Sequence, residues 1–184
     1  MGYGHKIFSG IAMLMVALVA VLAVPGAASA APQADVFASY EGKGINLTED
    51  GWGDATSCVT FSKSDVRCYE TNAQANVAVG YTAPPAARAD ATWDCPLGWL
   101  CLYEHADGQG RRLIFDDDYW HQLHLYSFDR HVSSWRNAQV YLEWGELQDS
   151  TDQDGGCICT IRLYGGYQEN LTGNRNDVMN YVYA

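Results

Sequence analysis

The chain has 184 residues and is acidic, with 22 Asp and Glu residues against 11 Lys and Arg residues and a formal net charge of −11. This acidity argues against nucleic acids and anionic membrane surfaces as partners. A chain of this length can form one domain or one and a half.

Residues 1–30 are predicted to be a signal peptide. Ile11–Val24 is an apolar run of 14 residues, shorter than the roughly 20 residues that span a bilayer, and Ala28–Ala30 is a small-residue cleavage signal. This segment holds one Lys and no acidic residue, so the remaining 184 − 30 = 154 residues carry 10 − 22 = −12 charges. We therefore expect a secreted, extracellular protein with no membrane attachment after cleavage.

Residues 31–81 are predicted to form a small N-terminal module. Its first residues, to about Phe37, indicate an unstructured leader. Two β-prone runs, Val59–Phe61 and Val66–Tyr69, predict a hairpin, and Thr71 is a typical N-cap for a short helix over 72–79. The module has few large apolar residues, which is little for a core of its own.

A Pro- and Ala-rich stretch, 82–92, is interpreted as a linker to the main domain, 93–184. Strands are predicted there over residues 100–103, 111–115, 133–142 and 157–164. No segment shows a helical period long enough to compete with these strands. The fold class indicated is antiparallel all-β.

All six cysteines follow the predicted cleavage site, and an even number in an exported protein indicates disulfides. The spacing favours Cys58 with Cys68, around a polar turn, and Cys95 with Cys101, around Pro-Leu-Gly-Trp-Leu. Each closure would contribute about 2–3 kcal/mol by restricting the unfolded chain.

Cys157 and Cys159 do not fit a simple bridge. Residues i and i+2 of an extended strand share a face, but their Cβ atoms lie farther apart than the ~4 Å that a disulfide needs. Three alternatives stay open: the strand bends there, the two cysteines pair elsewhere, or they stay reduced.

An aromatic residue, a glycine and a serine pair recur in an order that suggests a folded hairpin. Tyr103 lies on a predicted strand, Gly110 ends the following turn, and Ser133-Ser134 precede Trp135 on a later strand. A glycine suits a corner that folds at positive φ. A serine hydroxyl can satisfy the backbone groups that such a corner exposes.

This pattern resembles one wedge of a βγ-crystallin Greek key. With Cys-x5-Cys in front of it, the segment over about 93–142 is similar to secreted peptidase inhibitors built on that wedge, whose known member blocks metalloproteinases. The resemblance implies a βγ-crystallin-like Greek-key sandwich with a degenerate second key near Leu163–Gly166 and Asn174–Tyr181. Gly108 stands where the wedge usually has a second aromatic residue, which predicts a less well packed corner.

Calcium-binding wedges of the crystallin type carry two Asn or Asp residues and then a serine pair. The first loop has Asp129 and Ser134 but places Arg130 at the second position, and the second loop keeps Asn176 and Asp177 without the serines. Each site is half complete, so we expect no cofactor, or calcium with weak affinity.

Two other groups of residues could suggest catalysis or metal binding. Asp129, His131 and Ser133 project side by side from one extended segment, whereas a nucleophile must meet its base end to end. His121 and His124 lack a helix that would place them on one face. The chain is therefore predicted not to be an enzyme.

The resemblance implies a monomeric inhibitor that presents a rigid loop to an extracellular protease. Candidate inhibitory loops are the segment Cys157-Ile158-Cys159-Thr160 and the hairpin tip Gly108–Arg111. The alternative is a non-enzymatic extracellular structural or binding module of the crystallin type.

Overall fold

The computed structural model describes residues 34–82, 93–150 and 159–184, together with Met1. The predicted signal peptide, nearly all of the predicted linker, and the Cys157-Ile158 pair lie outside the described residues. The described residues form 12 strands and two short helices. The helices are α1 (Leu47–Asp50) and α2 (Asn72–Ala78). The strands are β1 (Phe37–Tyr40), β2 (Lys43–Asn46), β3 (Ser57–Ser62), β4 (Asp65–Tyr69), β5 (Leu100–His105), β6 (Gln109–Phe115), β7 (Trp120–Gln122), β8 (Ser134–Asn137), β9 (Trp144–Asp149), β10 (Cys159–Tyr164), β11 (Gln168–Asn170) and β12 (Tyr181–Tyr183).

The strands form two sheets, and the expected all-β, two-sheet class is confirmed. The larger sheet has the order β11-β8-β5-β6-β3-β4-β1-β2, and the smaller has the order β10-β9-β12-β7. Among the described residues, no helix is long and apolar enough to cross a membrane.

Strands β5 to β12 divide into two units of four strands with the same connectivity. Each unit opens with an antiparallel hairpin, β5–β6 or β9–β10, and its fourth strand, β8 or β12, pairs with the first. The third strand of each unit instead crosses to the other unit, so that β7 pairs with β12 and β11 pairs with β8. This exchange joins the two units, and the second unit has all four strands.

The N-terminal segment extends the larger sheet. Strand β3 pairs in parallel with β6, with Ser57 opposite Arg112, and β1 pairs in parallel with β4. The described residues between 34 and 184 form one compact body. The segment with few apolar residues thus gains its core from the rest of the chain, and the division into module, linker and domain stays a prediction. The leader extends less far than expected, because Val36 is buried and β1 begins at Phe37.

The predicted hairpin and helix are both present in this segment. Thr71 caps α2 through a capping box, in which its hydroxyl accepts from the Gln74 N–H and the Gln74 side chain accepts from the Thr71 N–H. Gly80 follows the helix at φ +72°. Ala75 is fully buried and packs in the same cluster as Val59 of β3.

Alternation along β5 builds two apolar clusters. Leu100 and Leu102 belong to the large cluster between the sheets, with residues of β9, β10 and β12. Cys101 and Tyr103 belong to a smaller cluster on the other side of the sheet. Successive side chains of a strand point to opposite faces, so this strand is buried on both sides.

Arg112 joins the N-terminal segment to β6 through a fully buried guanidinium group. Its Nε donates to Ser57 Oγ over 3.1 Å, and its terminal nitrogens contact Asn76 Oδ1 at 3.0 Å and Asp94 Oδ2 at 3.2 Å. Burial lowers the pKa of this group, and Asp94 opposes that effect.

Replacement of Arg112 by Ala is expected to destabilise the fold by about 3–5 kcal/mol, because it leaves Asp94 and the polar groups around it without their buried partner. Chemical denaturation measures the loss. Arg67→Ala is the matched control, since Arg67 pairs with Asp65 at the exposed surface and its removal should leave the unfolding midpoint unchanged. Equal midpoints for the two variants would contradict this role of Arg112.

Candidate functional site

The hairpin between β5 and β6 folds over at a corner, residues 103–110, that the Ser134 hydroxyl closes. Ser134 Oγ accepts from the Gly108 N–H over 3.1 Å and donates to the His105 carbonyl over 2.6 Å. Ser134 is fully buried, directly opposite Tyr103 in the sheet. One hydroxyl therefore satisfies one donor and one acceptor of the folded backbone.

Two glycines make the fold of this corner possible. Gly110 has φ +77°, and a Cβ there would lie 2.9 Å from the His105 ring. Gly108 has φ +70°, and a Cβ there would collide with the backbone of Trp93. The corner predicted to be less well packed is thus filled by Trp93, which arrives from the start of the domain.

Tyr103 anchors the base of the corner. Its ring is fully buried and lies edge-on to Trp93, with 6.1 Å between ring centroids, and its hydroxyl donates to the Asp94 carbonyl over 2.9 Å. Burial raises the pKa of the Tyr103 phenol well above its usual range. Trp135 of β8 is also buried, opposite Leu102. The two aromatic residues thus pack on opposite faces of the sheet.

Ser133 connects the two four-strand units. Its N–H donates to the Tyr103 carbonyl, and its hydroxyl donates to Asp177 Oδ1 over 2.8 Å. Asn180 occupies the matching place in the second unit, where its N–H donates to the Gln148 carbonyl. In the first unit Ser134 lies opposite Tyr103, and in the second unit Tyr181 lies opposite Gln148. A tyrosine therefore takes the position of the corner serine in the second unit.

The loops that precede β8 and β12 pair with each other reciprocally. Arg130 and Asp177 both have positive φ, +58° and +54°. The Arg130 N–H donates to the Met179 carbonyl over 3.0 Å, and the Asp177 N–H donates to the Val132 carbonyl over 3.2 Å. Arg130 and Asp177 occupy equivalent positions in the two loops, as do Val132 and Met179, so the two hydrogen bonds are equivalent. The two half-complete calcium sites predicted from the sequence therefore lie side by side.

Both disulfides favoured by the spacing are present. Cys58 and Cys68 face each other across the β3–β4 hairpin, with 4.0 Å between their Cα atoms. Cys95 and Cys101 close the loop before β5, with 5.8 Å between their Cα atoms. Cys159 is also disulfide-bonded, which rules out a reduced thiol at that position.

The two candidate inhibitory loops differ in what the structure describes. Cys159 and Thr160 begin β10, the first partly buried and the second exposed, while Cys157 and Ile158 lie outside the described residues. The hairpin tip Gly108–Arg111 is tightly held, because Gly108 is bonded to Ser134 and Arg111 pairs with Glu104 at 2.9 Å. Only its exposed residues Gln109 and Gly110 are open to a partner.

His121 and His131 belong to the two groups of residues that could suggest catalysis or metal binding. His121 is fully buried, with Nε2 2.7 Å from Asp117 Oδ1 and Nδ1 2.6 Å from the Tyr126 hydroxyl. It faces no serine or cysteine in these contacts. Ser133 bonds to Asp177, and His131 stacks edge-on with Phe128. Within the described ranges, no three His, Cys, Asp or Glu residues are arranged to hold a metal ion.

The described geometry thus contains a serine-closed corner behind a Cys-x5-Cys loop. Residues 88–159 match the family model of peptidase inhibitor family I36. The match covers the Cys95–Cys101 loop, the first four-strand unit and β9. It confirms the resemblance to peptidase inhibitors over a segment longer than 93–142. No curated protein and no solved structure matches the chain.

The candidate calcium ligands make contacts within the protein. Asp177 already accepts from Ser133 and, over 2.6 Å, from Asn176, while Ser134 is engaged at the corner. Burial raises the pKa of Asp129, and its Oδ1 is the buried oxygen of this set without a hydrogen-bond partner among the described atoms. Calcium takes six to eight oxygens, and the expectation of no cofactor, or of calcium with weak affinity, stays a prediction.

Ser134→Ala is expected to destabilise the protein by about 1–3 kcal/mol, because the buried Gly108 N–H and the His105 carbonyl lose their partner. Urea unfolding measures the change. Ser64→Ala is the matched control at an exposed serine and should leave the midpoint unchanged. A Ser134→Ala protein as stable as the wild type would contradict the stabilising role of the Ser134 hydroxyl at the corner.

Calcium titration of the chelator-treated protein is expected to give no saturable heat below about 1 mM, because Asp177 and Ser134 are engaged within the protein. Isothermal calorimetry makes the measurement, with Asp177→Asn as the comparison for any weak signal. Saturation at micromolar calcium that Asp177→Asn abolishes would contradict the expectation.

Proposed function

We propose that the chain is an exported, non-enzymatic inhibitor of an extracellular protease. The observation that carries the proposal is the match of residues 88–159 to peptidase inhibitor family I36. The Cys58–Cys68 and Cys95–Cys101 disulfides suit an oxidising extracellular compartment. The resemblance of the same segment to metalloproteinase inhibitors makes a metalloprotease the preferred target.

The mechanism proposed is rigid presentation of a loop. A loop that is already fixed in its bound shape loses little conformational entropy on binding, and a docked, immobile backbone is a poor substrate. Ser134 fixes the β5–β6 corner, the Cys95–Cys101 bridge fixes the loop before it, and the disulfide at Cys159 braces the start of β10. These constraints pre-order the scaffold, whichever of its surfaces the protease contacts.

Catalysis by the chain itself is not part of the proposal. The polar side chains of the candidate site bind one another, as in the Ser133–Asp177 pair and the buried His121–Asp117 pair. These contacts fit structural roles. A crystallin-type binding module without inhibitory action is the competing function, and the inhibition assay separates the two.

Protein beginning at Ala31 is expected to reduce the activity of a thermolysin-like metalloprotease in a dose-dependent manner at micromolar concentration or below. Residual hydrolysis of a peptide substrate measures it, with a trypsin-like and a subtilisin-like serine protease assayed in parallel. Ser64→Ala, at the exposed turn, should inhibit as the wild type does. Full residual activity of all three proteases would contradict the proposed function.

A further inference from the structure

An exposed apolar ridge lies where β9 begins and β10 ends. Among the described residues, 11 large apolar side chains are exposed, and six of them lie at this one end: Val140, Tyr141, Leu142, Trp144, Tyr164 and Tyr167. Leu142 is 86% exposed and Tyr141 is 73% exposed. An exposed concentration of apolar side chains of this kind marks an interaction surface.

The ridge flanks a concave surface. A groove of about 410 Å³ is lined by five of the ridge residues, Tyr141, Leu142, Trp144, Tyr164 and Tyr167, together with Glu143. Tyrosine and tryptophan are enriched at protein interfaces and among the residues that contribute most to binding. The composition therefore favours a protein partner.

The backbone beneath the ridge is fixed by Asn137. This residue is fully buried, its side-chain amide donates to the Leu163 carbonyl over 2.9 Å, and its Oδ1 accepts from the Gln139 N–H over 3.0 Å. Its own carbonyl accepts from the Gly166 N–H over 2.8 Å. Asn137 thus holds the loop 138–143 against the turn that carries Tyr164 and Tyr167.

Gly165 completes the support. Its N–H donates to the Glu143 carbonyl over 2.9 Å, and the Glu143 N–H donates to the Val140 carbonyl over 2.9 Å. A Cβ on Gly165 would collide with the Val140 carbonyl, so the two segments approach as closely as only glycine allows. The ridge is therefore presented on a pre-ordered loop, which lowers the entropy lost on binding.

Negative charge lies beside the ridge. A neighbouring cleft of about 340 Å³ shares Leu142, Glu143 and Trp144 with this groove and is also lined by Asp116, Asp117 and Asp118. Burial, followed by repulsion from the other carboxylates, raises the pKa of Asp116. The nearby Arg162 covers the Trp144 ring and lies 3.8 Å from Glu146. A partner must therefore bring positive charge next to an apolar cleft.

The negative charge beside the ridge favours a different protein over a second copy of this chain as the partner. A second copy of the chain would place like charges against each other, which is unfavourable at an interface. We propose that the ridge is the surface that contacts the target protease, and that this protease has an apolar cleft with basic side chains beside it. The inference rests on the proposed function and specifies where the protease binds.

The ridge and Cys159 lie at opposite ends of the β9–β10 hairpin. In the β9–β10 hairpin, Tyr164 pairs with Trp144 at one end and Cys159 pairs with Asp149 at the other. Five residue steps of a strand separate the ends by about 17 Å. Variants at the two ends can therefore show which one the protease contacts.

The test compares inhibition constants of four proteins against the metalloprotease that the wild type inhibits. The double variant Tyr141→Ser/Leu142→Ser changes the ridge. Val77→Ser changes a comparably exposed apolar residue, 74% exposed, on helix α2, and Thr160→Arg changes the opposite end of the hairpin. All the altered side chains are exposed, so thermal unfolding should be the same for all four.

The ridge variant is expected to raise the inhibition constant at least about tenfold and by more than Thr160→Arg does, whereas Val77→Ser stays within about twofold of the wild type. The association rate of the wild type should fall between about 50 mM and 500 mM NaCl, and Asp118→Asn should reduce that salt dependence. Unchanged inhibition by the ridge variant, with loss in Thr160→Arg, would overturn the inference and leave the inhibitor function standing. A wild type that inhibits no protease of the panel would overturn both.

Discussion

The hydroxyl of Ser134 accepts from Gly108 and donates to His105 at a corner that two glycines allow the backbone to form. This corner sets the course of β6, and β6 in turn carries the contacts that join the N-terminal strands to the sheet through Arg112. Because Ser134 belongs to β8, its side chain ties the last strand of its unit to the β5–β6 hairpin. Strand β8 lies beside β5 in the sheet.

The reciprocal loops show how two such units become one body. Each unit gives its third strand to the other. Across the junction, the Arg130 N–H donates to the Met179 carbonyl and the Asp177 N–H donates to the Val132 carbonyl. Side chains that calcium would require are bonded to each other in this arrangement, as in Ser133 with Asp177. The junction is thus stabilised by the polar groups that would otherwise be open to a ligand, and the binding surface proposed here lies at another place, on apolar side chains.

Local sequence signals were sufficient for six strands, β3, β4, β5, β6, β8 and β10, for helix α2 and for two disulfides, because each depends on residues close in the chain. The strand predicted over 133–142 ends at Asn137, and the other six described strands were missed. The parallel pairing of β3 with β6 joins residues 55 positions apart, Ser57 and Arg112, and no local pattern encodes it. Trp93 at the corner was missed for the same reason, although Gly108 in place of an aromatic residue was a signal that something else must fill that space. The buried role of Asn137 became visible only when β8 and the turn after β10 were placed together.

The hydrogen bond from the Gly108 N–H to Ser134 should slow the exchange of that amide hydrogen with solvent. If the Ser134 hydroxyl holds the Gly108 N–H in the folded protein, that hydrogen can exchange with solvent only when the sheet opens. Native-state hydrogen exchange followed by NMR measures this directly. The account predicts that Gly108 exchanges with a free energy close to that of global unfolding, similar to the amides in the middle of β5. Exchange at the rate of an unstructured peptide, in a protein whose β5 amides stay protected, would contradict it.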